Sequence, residues 1–418
     1  MYLRTIVFLG IYLGLMAVAP FFPAAGVWGF VFESNYHPPY NRWWGEPLLS
    51  LGERWSYYIG AVMVASTLLH WPFQRQAPVF RHPETIFLAL FTLNTFVVTS
   101  WAFVYSLSLK GAIDTAKWFL VYLCLVKTHS GRRWMSVVLL IYIVAAIDAG
   151  LECTFNPKRG RFVRGGPTTA CFDENFVSAQ MVSLLPLMGL YAVSPGVPKS
   201  IRLVCAGGVP FVLNVIAHGQ SRGAFVALVA AAVAVPVFTK GPLRRWSILA
   251  VVVGALLAMR LFHDQFWERM WSIGTHHQDR SSTNRIDAWR DAWSLSIQDP
   301  LGYGAEAFDK GLPKSVTVST HNMYLECLVA WGFQGALLWL AFLGVTLRSA
   351  YIISLTTLRR TDVDGRRLHI EAVGILCGMI GMLVASIFIN RMRWEMWQMF
   401  AAYVVCLKNT VASSSRVT

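Results

Sequence analysis

Three separated positions carry side chains that together could manage a charged leaving group and a hydroxyl proton. His321 stands where the polar stretch Ser319-Thr320-His321-Asn322 runs into a long apolar segment. An imidazole titrates near neutral pH and can take a proton from an alcohol. On position alone it reads equally as a cap or a structural hydrogen-bonder. Arg222 lies in Gln220-Ser221-Arg222-Gly223-Ala224, between two apolar runs with almost no loop. A guanidinium at that depth is costly unless it is paired or faces water, and its planar fork suits two phosphate oxygens; the plain reading is snorkelling to lipid head groups. Arg285 opens an amphipathic segment. It is either an exposed charge paired with Asp287 or Asp291, or a second phosphate clamp. Asn322 and Tyr324 adjoin His321, while Asp173, Glu174 and Asn175 lead into another apolar run, to cap a helix or to bind substrate. Arg391 and Arg393 share a tight turn, with pairing to Glu395 as the plain reading, and Lys158, Arg159, Arg161 and Arg164 crowd one polar loop.

The elements that must hold these residues follow from composition. Of 418 residues, 55% are hydrophobic and only 14% charged, and mean hydropathy is +0.49. A soluble chain carries roughly 25% charged residues, so this apolar surplus calls for lipid as solvent. Seventeen Trp and fourteen Tyr fit a chain with two membrane–water boundaries. The expected fold is all-α: one polytopic transmembrane bundle over 1–418, of about twelve helices. Apolar runs near 4–31, 56–71, 85–106, 112–128, 134–150, 175–194, 202–217, 223–239, 246–262, 322–347, 370–390 and 394–408 supply the spans. Pro20 and Pro23 make the first run a bent helix or two short ones.

Orientation follows from the basic residues of short connections. With the N-terminus inside, each inner connection is basic: Arg75 and Arg81; Lys127, Arg132 and Arg133; Lys199 and Arg202; Lys240, Arg244 and Arg245; Arg348, Arg359, Arg360, Arg366 and Arg367. This scheme puts both termini in the cytoplasm. It leaves two long outer segments, 151–174 and 263–321, whose positive charge serves solvation, anionic head groups or an anionic substrate. Membrane lipid, not nucleic acid, is the partner expected for the net charge of +14.

Segment 263–321 is patterned. Phe266, Trp267, Met270 and Trp271 give one short helix an aromatic face. Ser281, Ser282 and Thr283 offer an N-cap to a second, whose face is Ile286, Trp289 and Trp293 and which Pro300 ends. Both read as amphipathic helices on the membrane surface or as a lid over a cavity. The seven cysteines include no C-x-x-C; Cys153 and Cys171 flank one polar loop and form either a disulfide or two thiols. There is no nucleotide-binding loop, no H-E-x-x-H, and no D-x-D on an outer segment, so chemistry without metal or cofactor on an already activated, lipid-borne substrate is expected.

The order of these motifs resembles a known family. Ser221-Arg222-Gly223-Ala224 opens a span; Arg285-x-x-x-Trp289 and Pro300-Leu301-Gly302-Tyr303-Gly304 follow in the long loop; then come His321-Asn322-x-Tyr324-Leu325 and Gly332-Phe333-x-Gly335. With Phe172-Asp173-Glu174-Asn175, this set is similar to the O-antigen ligase and O-antigen polymerase superfamily of bacterial inner-membrane glycosyltransferases. Asn35-Tyr36-His37-Pro38-Pro39 looks more like an exosortase-associated O-glycosylation ligase. The resemblance implies a glycan donor on undecaprenyl diphosphate at the periplasmic face. It implies as acceptor a sugar hydroxyl on lipid A–core or on a growing glycan, or else a protein. It gives catalytic roles to His321 at the acceptor and to Arg222 and Arg285 at the diphosphate. Lys158, Arg161, Arg164, Asn175, Asn322, Tyr324, Arg391 and Arg393 are further substrate contacts in that picture. A lipid or glycan transporter is the alternative of another class; it would need charged or broken helices at mid-membrane, where Asp114, Lys117 and Asp148 are the residues to check.

Overall fold

In lipid a backbone must satisfy its own hydrogen bonds, which favours helices wherever a chain is this apolar. The computed structural model describes residues 2–37, 43–52, 54–73, 79–129, 131–155, 173–262, 264–271, 280–360, 362–390, 392 and 395–414, and among these it contains helices and no strand. The helices are α1 Leu3–Val18, α2 Pro23–Tyr36, α3 Glu46–Leu49, α4 Trp55–His70, α5 Pro83–Thr99, α6 Tyr105–Thr128, α7 Arg132–Phe155, α8 Glu174–Val193, α9 Lys199–Gly219, α10 Arg222–Phe238, α11 Gly241–Leu261, α12 Asp264–Trp271, α13 Arg280–Gln298, α14 Ala307–Lys310, α15 Met323–Thr357, α16 Val363–Ala385 and α17 Glu395–Ser414. Among the described residues six are long and apolar enough to cross a membrane: Trp134–Phe155 within α7, and α8, α9, α11, α15 and α16; α1, α5 and α10 are shorter apolar helices. Length and composition therefore support six spans, and the twelve-run count is not carried by them.

The centre is α8 against α16. Every residue of α8 from Phe176 to Met188 is buried, as a helix apolar all round must be. Small residues let the two backbones approach: Gly378 lies against the Ser183 carbonyl and Gly374 against Leu187. Helices α9 and α10 pack on α8, and α10 also on α16.

The N-terminal run takes the second of its two expected forms: two helices, α1 and α2, packed on each other, with Pro23 at the first turn of α2. Arg4 reaches Glu152 at 3.5 Å and Asp148 at 4.0 Å, near the far end of α7. The turn between α1 and α2 lies at the opposite end, where the Phe22 ring meets Trp134. At that same end the Arg132 backbone N–H donates to the Thr410 hydroxyl near the C-terminus. The start of α1 and the end of α17 thus lie by opposite ends of α7. The reversal hides from a charge count because no charged residue separates the two helices.

Helix α15 is broken at Gly332, where φ is 71° and ψ is 178°. The carbonyls this releases are taken up by the turn at Pro300–Gly304 and by Asn94 of α5. Tyr303 N–H donates to Val329 O at 2.8 Å, Gly304 N–H to Ala330 O at 2.9 Å, and Asn94 Nδ2 to Trp331 O at 3.1 Å. In return Phe333 N–H donates to Pro300 O at 2.9 Å. Gly302, at φ 93°, sits so close that a Cβ there would overlap the Gly332 nitrogen. The Gly302→Ala variant is therefore expected to lose about 1–3 kcal/mol of stability. Thermal unfolding in detergent reads this, with Gly254→Ala as comparison, since a Cβ there meets nothing within 4 Å. Equal melting of both variants would mean that the turn does not hold the break.

Candidate functional site

Several helix ends meet at one end of the bundle. At the start of α8, Asp173 accepts its own helix's Asn175 N–H at 2.7 Å. The C-terminal Gly219 of α9 packs against Ser178 and the Glu174 carbonyl. Gln220 then turns the chain in a left-handed conformation (φ 45°), and Ser221 caps α10 by accepting Ala224 N–H at 3.3 Å. Arg222 is thus the first residue of α10, at the positive end of its dipole. Gly223 beside it is pressed against the Phe388 side chain, just past the C-terminus of α16. Two residues earlier, the Ser386 carbonyl accepts the N–H of Met323, the first residue of α15, at 2.9 Å. Arg222 and His321, 99 positions apart in sequence, therefore both stand within about a helical turn of the same short segment.

His321 has φ 45°, a conformation that non-glycine residues seldom adopt. Its neighbours fix it. The Trp289 indole of α13 donates to the Thr320 carbonyl at 2.7 Å. Asn322 Oδ1 accepts Tyr324 N–H at 2.9 Å and Leu325 N–H at 3.1 Å. Tyr324 donates its hydroxyl to Leu383 O at 2.8 Å. Asn322 and Tyr324, expected at the substrate, thus use these groups to seat the start of α15. Burial holds the His321 imidazole below its ordinary pKa, Arg285 pushes it further down, and Asp173 and Asp309 pull it back up in part. One imidazole, one guanidinium and two carboxylates from four segments thus share one electrostatic neighbourhood.

Arg285 is brought here by α13, which packs on α15. The buried face of α13 is Ala288, Ala292 and Leu295, packed with Phe308 and Val329. The expected face is corrected: Ile286 is 39% and Trp293 50% exposed. Small alanines let α13 lie close to its neighbour, while Trp293 meets the Phe333 ring of α15 from the rim of the contact, with centroids 6.3 Å apart. The expected N-cap is corrected too, since Ser281, Ser282 and Thr283 fall inside the helix. Asp287 pairs with Arg290 at 3.1 Å, and Asp291 accepts both the N–H and the hydroxyl of Ser315, at 2.6 and 2.7 Å.

No sequence signal pointed to Asp309. It accepts the Ser319 hydroxyl at 3.2 Å and lies 4.0 Å from Lys314, while Ser319 accepts from Asn390 Nδ2 at 3.0 Å. Asp173 was expected to cap a helix or to bind substrate, and it caps α8. Lys158, Arg161, Arg164, Arg391, Arg393 and Cys171 lie outside the described residues. Among the described residues no three His, Cys, Asp or Glu side chains gather as a metal site would need.

Beneath Arg222 runs an apolar cavity of about 310 Å³, between α8, α9, α10 and α11. Its walls include Phe225, Leu228 and Val235 of α10 and Gly254, Ala255 and Ala258 of α11. Trp267 of α12 and Phe262 line its upper part, where Phe225 and Phe266 complete an aromatic cluster with ring centroids 4.3 to 6.0 Å apart. Helix α12 is pinned there by Phe266 and Met270, as its aromatic spacing implied, although Trp271 is exposed. The arrangement offers a base, two cations and an apolar slot at one end of a helical bundle.

Residues 208–340 match the family model described as O-antigen ligase. That interval runs from within α9 to within α15 and contains Arg222, Arg285 and His321. The match supports the O-antigen ligase superfamily and a membrane glycosyltransferase-like enzyme. No curated protein matches the chain at a significant level.

Proposed function

From a chain that carries an O-antigen ligase domain over 208–340, we propose a glycan ligase. It transfers a glycan from undecaprenyl diphosphate to a sugar hydroxyl, that of lipid A–core, at the periplasmic face of the bacterial inner membrane. His321 accepts the proton of the attacking hydroxyl. The hydroxyl oxygen forms a bond to the donor sugar's C1 as the bond from C1 to the diphosphate oxygen breaks, so the anomeric centre inverts. The diphosphate leaves with the electron pair, and Arg222 and Arg285 stabilise the charge gathering on it. The polyprenyl chain lies in the apolar cavity below Arg222. The products are the glycosylated acceptor and undecaprenyl diphosphate, and no metal ion takes part.

The observation that carries this reading is that Arg222 starts α10, over an apolar slot, beside the segment 386–388 that also holds the start of α15 next to His321, with Arg285 near enough to lower the imidazole pKa. A depressed imidazole pKa keeps the base neutral at pH 7, and two guanidiniums suit a leaving diphosphate. The proposed periplasmic side is the one opposite Arg132, Arg367 and Lys408. An O-antigen polymerase or a protein O-glycosylation ligase would use the same donor site and differ only in acceptor.

The test is transfer in liposomes holding the purified protein and a lipid-linked glycan, offered lipid A–core, a second lipid-linked glycan or an acceptor protein with free serine and threonine hydroxyls, with chelator present. Glycosylated lipid A–core is the expected product. Product from another acceptor alone would give the polymerase or protein ligase, and no transfer to any acceptor would reject the enzyme.

A further inference from the structure

The heights of the helix ends fix how the chain lies at the His321 end of the bundle. Below the break at Gly332, α15 runs from Phe333 to Thr357 and packs against α16, and the short stretch 358–362 joins the two. At the helical rise these stretches are ~37 and ~35 Å long, so Phe333 and the end of α16 stand at about the same height. Met323, the first residue of α15, stands there too. Its N–H donates to Ser386 O at 2.9 Å, and the Tyr324 hydroxyl donates to Leu383 O at 2.8 Å. Residues 323–331, a helix of ~13 Å, therefore begin and end at one height and lie across the bundle instead of along it. Helix α13 follows them. Its Trp289 indole donates to Thr320 O at 2.7 Å beside one end, and Pro300, just past the end of α13, accepts Phe333 N–H at 2.9 Å beside the other.

The side of α13 turned away from the bundle carries an apolar stripe. Ile286, Trp293 and Ile297 are exposed, and their spacing puts them within about 40° of one another round the helix. The Trp293 ring lies 6.3 Å from that of Phe333. Phe333 in turn heads a row of exposed apolar side chains, with Leu337 and Leu340 below it, on a helix long and apolar enough to cross a membrane. The stripe of α13 is thus continuous with the lipid-facing side of α15. A second element marks the same height. Exposed Trp101, in the turn between α5 and α6, donates its indole N–H to Gly302 O at 3.1 Å, and the Phe103 N–H donates to Tyr303 O at 2.8 Å. Exposed tryptophans at one height, Trp101 and Trp293, belong at a membrane–water boundary. The other face of α13 is already committed, since Ala288, Ala292 and Leu295 are buried with Phe308 and Val329.

We propose that α13 lies in the plane of the membrane on the His321 side, with Ile286, Trp293 and Ile297 among the acyl carbons just beneath the lipid head groups. The bilayer itself covers the stripe, not a second copy of the chain and not another of its segments. An amphipathic helix placed in this way sinks its apolar face ~5–10 Å into the boundary between head groups and acyl chains. Helix α13 is then a fixed helix of the membrane surface and not a lid that lifts, and it carries Arg285, next to Ile286, at the depth of the lipid phosphates. The placement does not rest on the transfer reaction.

Spin labels on cysteines introduced into the full chain, held in phospholipid nanodiscs, read the depth directly. Collision with oxygen, which partitions into lipid, is compared with collision with a water-soluble nickel chelate. The cysteines among the described residues are buried, and the unsubstituted chain treated in parallel gives the background. Leu337→Cys marks the lipid. Gln298→Cys marks the water, at an exposed position about a third of a turn from the stripe. Ile286→Cys and Ile297→Cys are expected to give an oxygen-to-nickel ratio at least about threefold above that of Gln298→Cys and below that of Leu337→Cys, as side chains at the interface should. Trp293→Cys is expected to read the same and serves should an isoleucine variant fail to fold. Ratios matching Gln298→Cys would put the stripe in water and overturn the proposal. Labels shielded from both reagents would overturn it too, because protein and not lipid would then cover the stripe.

Discussion

His321→Ala lowers the turnover of glycan transfer by about 10²–10⁴-fold, the range for removing a positioned general base, while affinity for the lipid-linked donor stays within a few-fold of wild type. The separation follows from the roles assigned: the imidazole acts on the acceptor hydroxyl, and the donor's diphosphate is held by arginines. A structural His321 would behave differently, because loss of its contacts would loosen the start of α15 and weaken donor binding as well. The pH profile adds a signature that packing loss cannot mimic. Protonated His321 cannot accept a proton, so the rate falls as pH drops through its pKa. Burial and Arg285 place that pKa below the ordinary 6.5, and the acid limb of kcat should lie below it too. Arg285→Gln removes a depressing charge, so the limb of its residual activity moves to higher pH. Asp309→Asn removes a charge that favours the imidazolium, and the limb moves to lower pH. A limb that stays put in both variants would separate His321 from the titration.

Arg222→Gln and Arg285→Gln each lower kcat/KM by about 10²–10³, the scale for losing one group that stabilises transition-state charge. Lysine at either position restores the charge but not the planar fork, so recovery should be partial. The double variant is expected to lose less than the product of the two single losses, because both arginines act on one leaving group. The comparison must use a lipid-linked donor: in the proposed reaction the arginines hold the diphosphate, and an assay of acceptor binding alone should show little change. Multiplicative losses, or full activity in either lysine variant, would argue that the two guanidiniums do not share a ligand.

Much of this arrangement is legible in the residues. The runs that became α8, α9 and α10 are bounded by polar residues, and their expected limits lie within a turn of the helices observed, whereas α11 starts at Gly241, five residues before its expected run. Ser221 caps α10, as a hydroxyl residue just before a helix should. The limits of reading appear where tertiary contact decides. Pro20 and Pro23 announce a break but not a reversal, since only Arg4 meeting Glu152 shows which way α1 runs. The face of α13 was assigned to its largest apolar side chains, yet close approach to α15 selects alanines. The break at Gly332 is set by a turn some thirty positions earlier, Pro300–Gly304, whose donors replace the lost helical ones. Asp309 reaches His321 only because α14 folds beside the start of α15, and no periodicity encodes that.

The central claim is that Arg222 and Arg285 close on one diphosphate beside His321. Cryo-electron microscopy of the protein in nanodiscs loaded with undecaprenyl diphosphate, the product that retains the gripped group, tests it most directly. The expected result is diphosphate density within hydrogen-bonding distance of both guanidiniums, with the isoprenoid chain running past Phe225 into the apolar cavity and the His321 ring facing the terminal phosphate. Diphosphate bound at the other end of the bundle, among Arg132, Arg202 and Arg367, would contradict the account, as would a lipid seated far from Arg222.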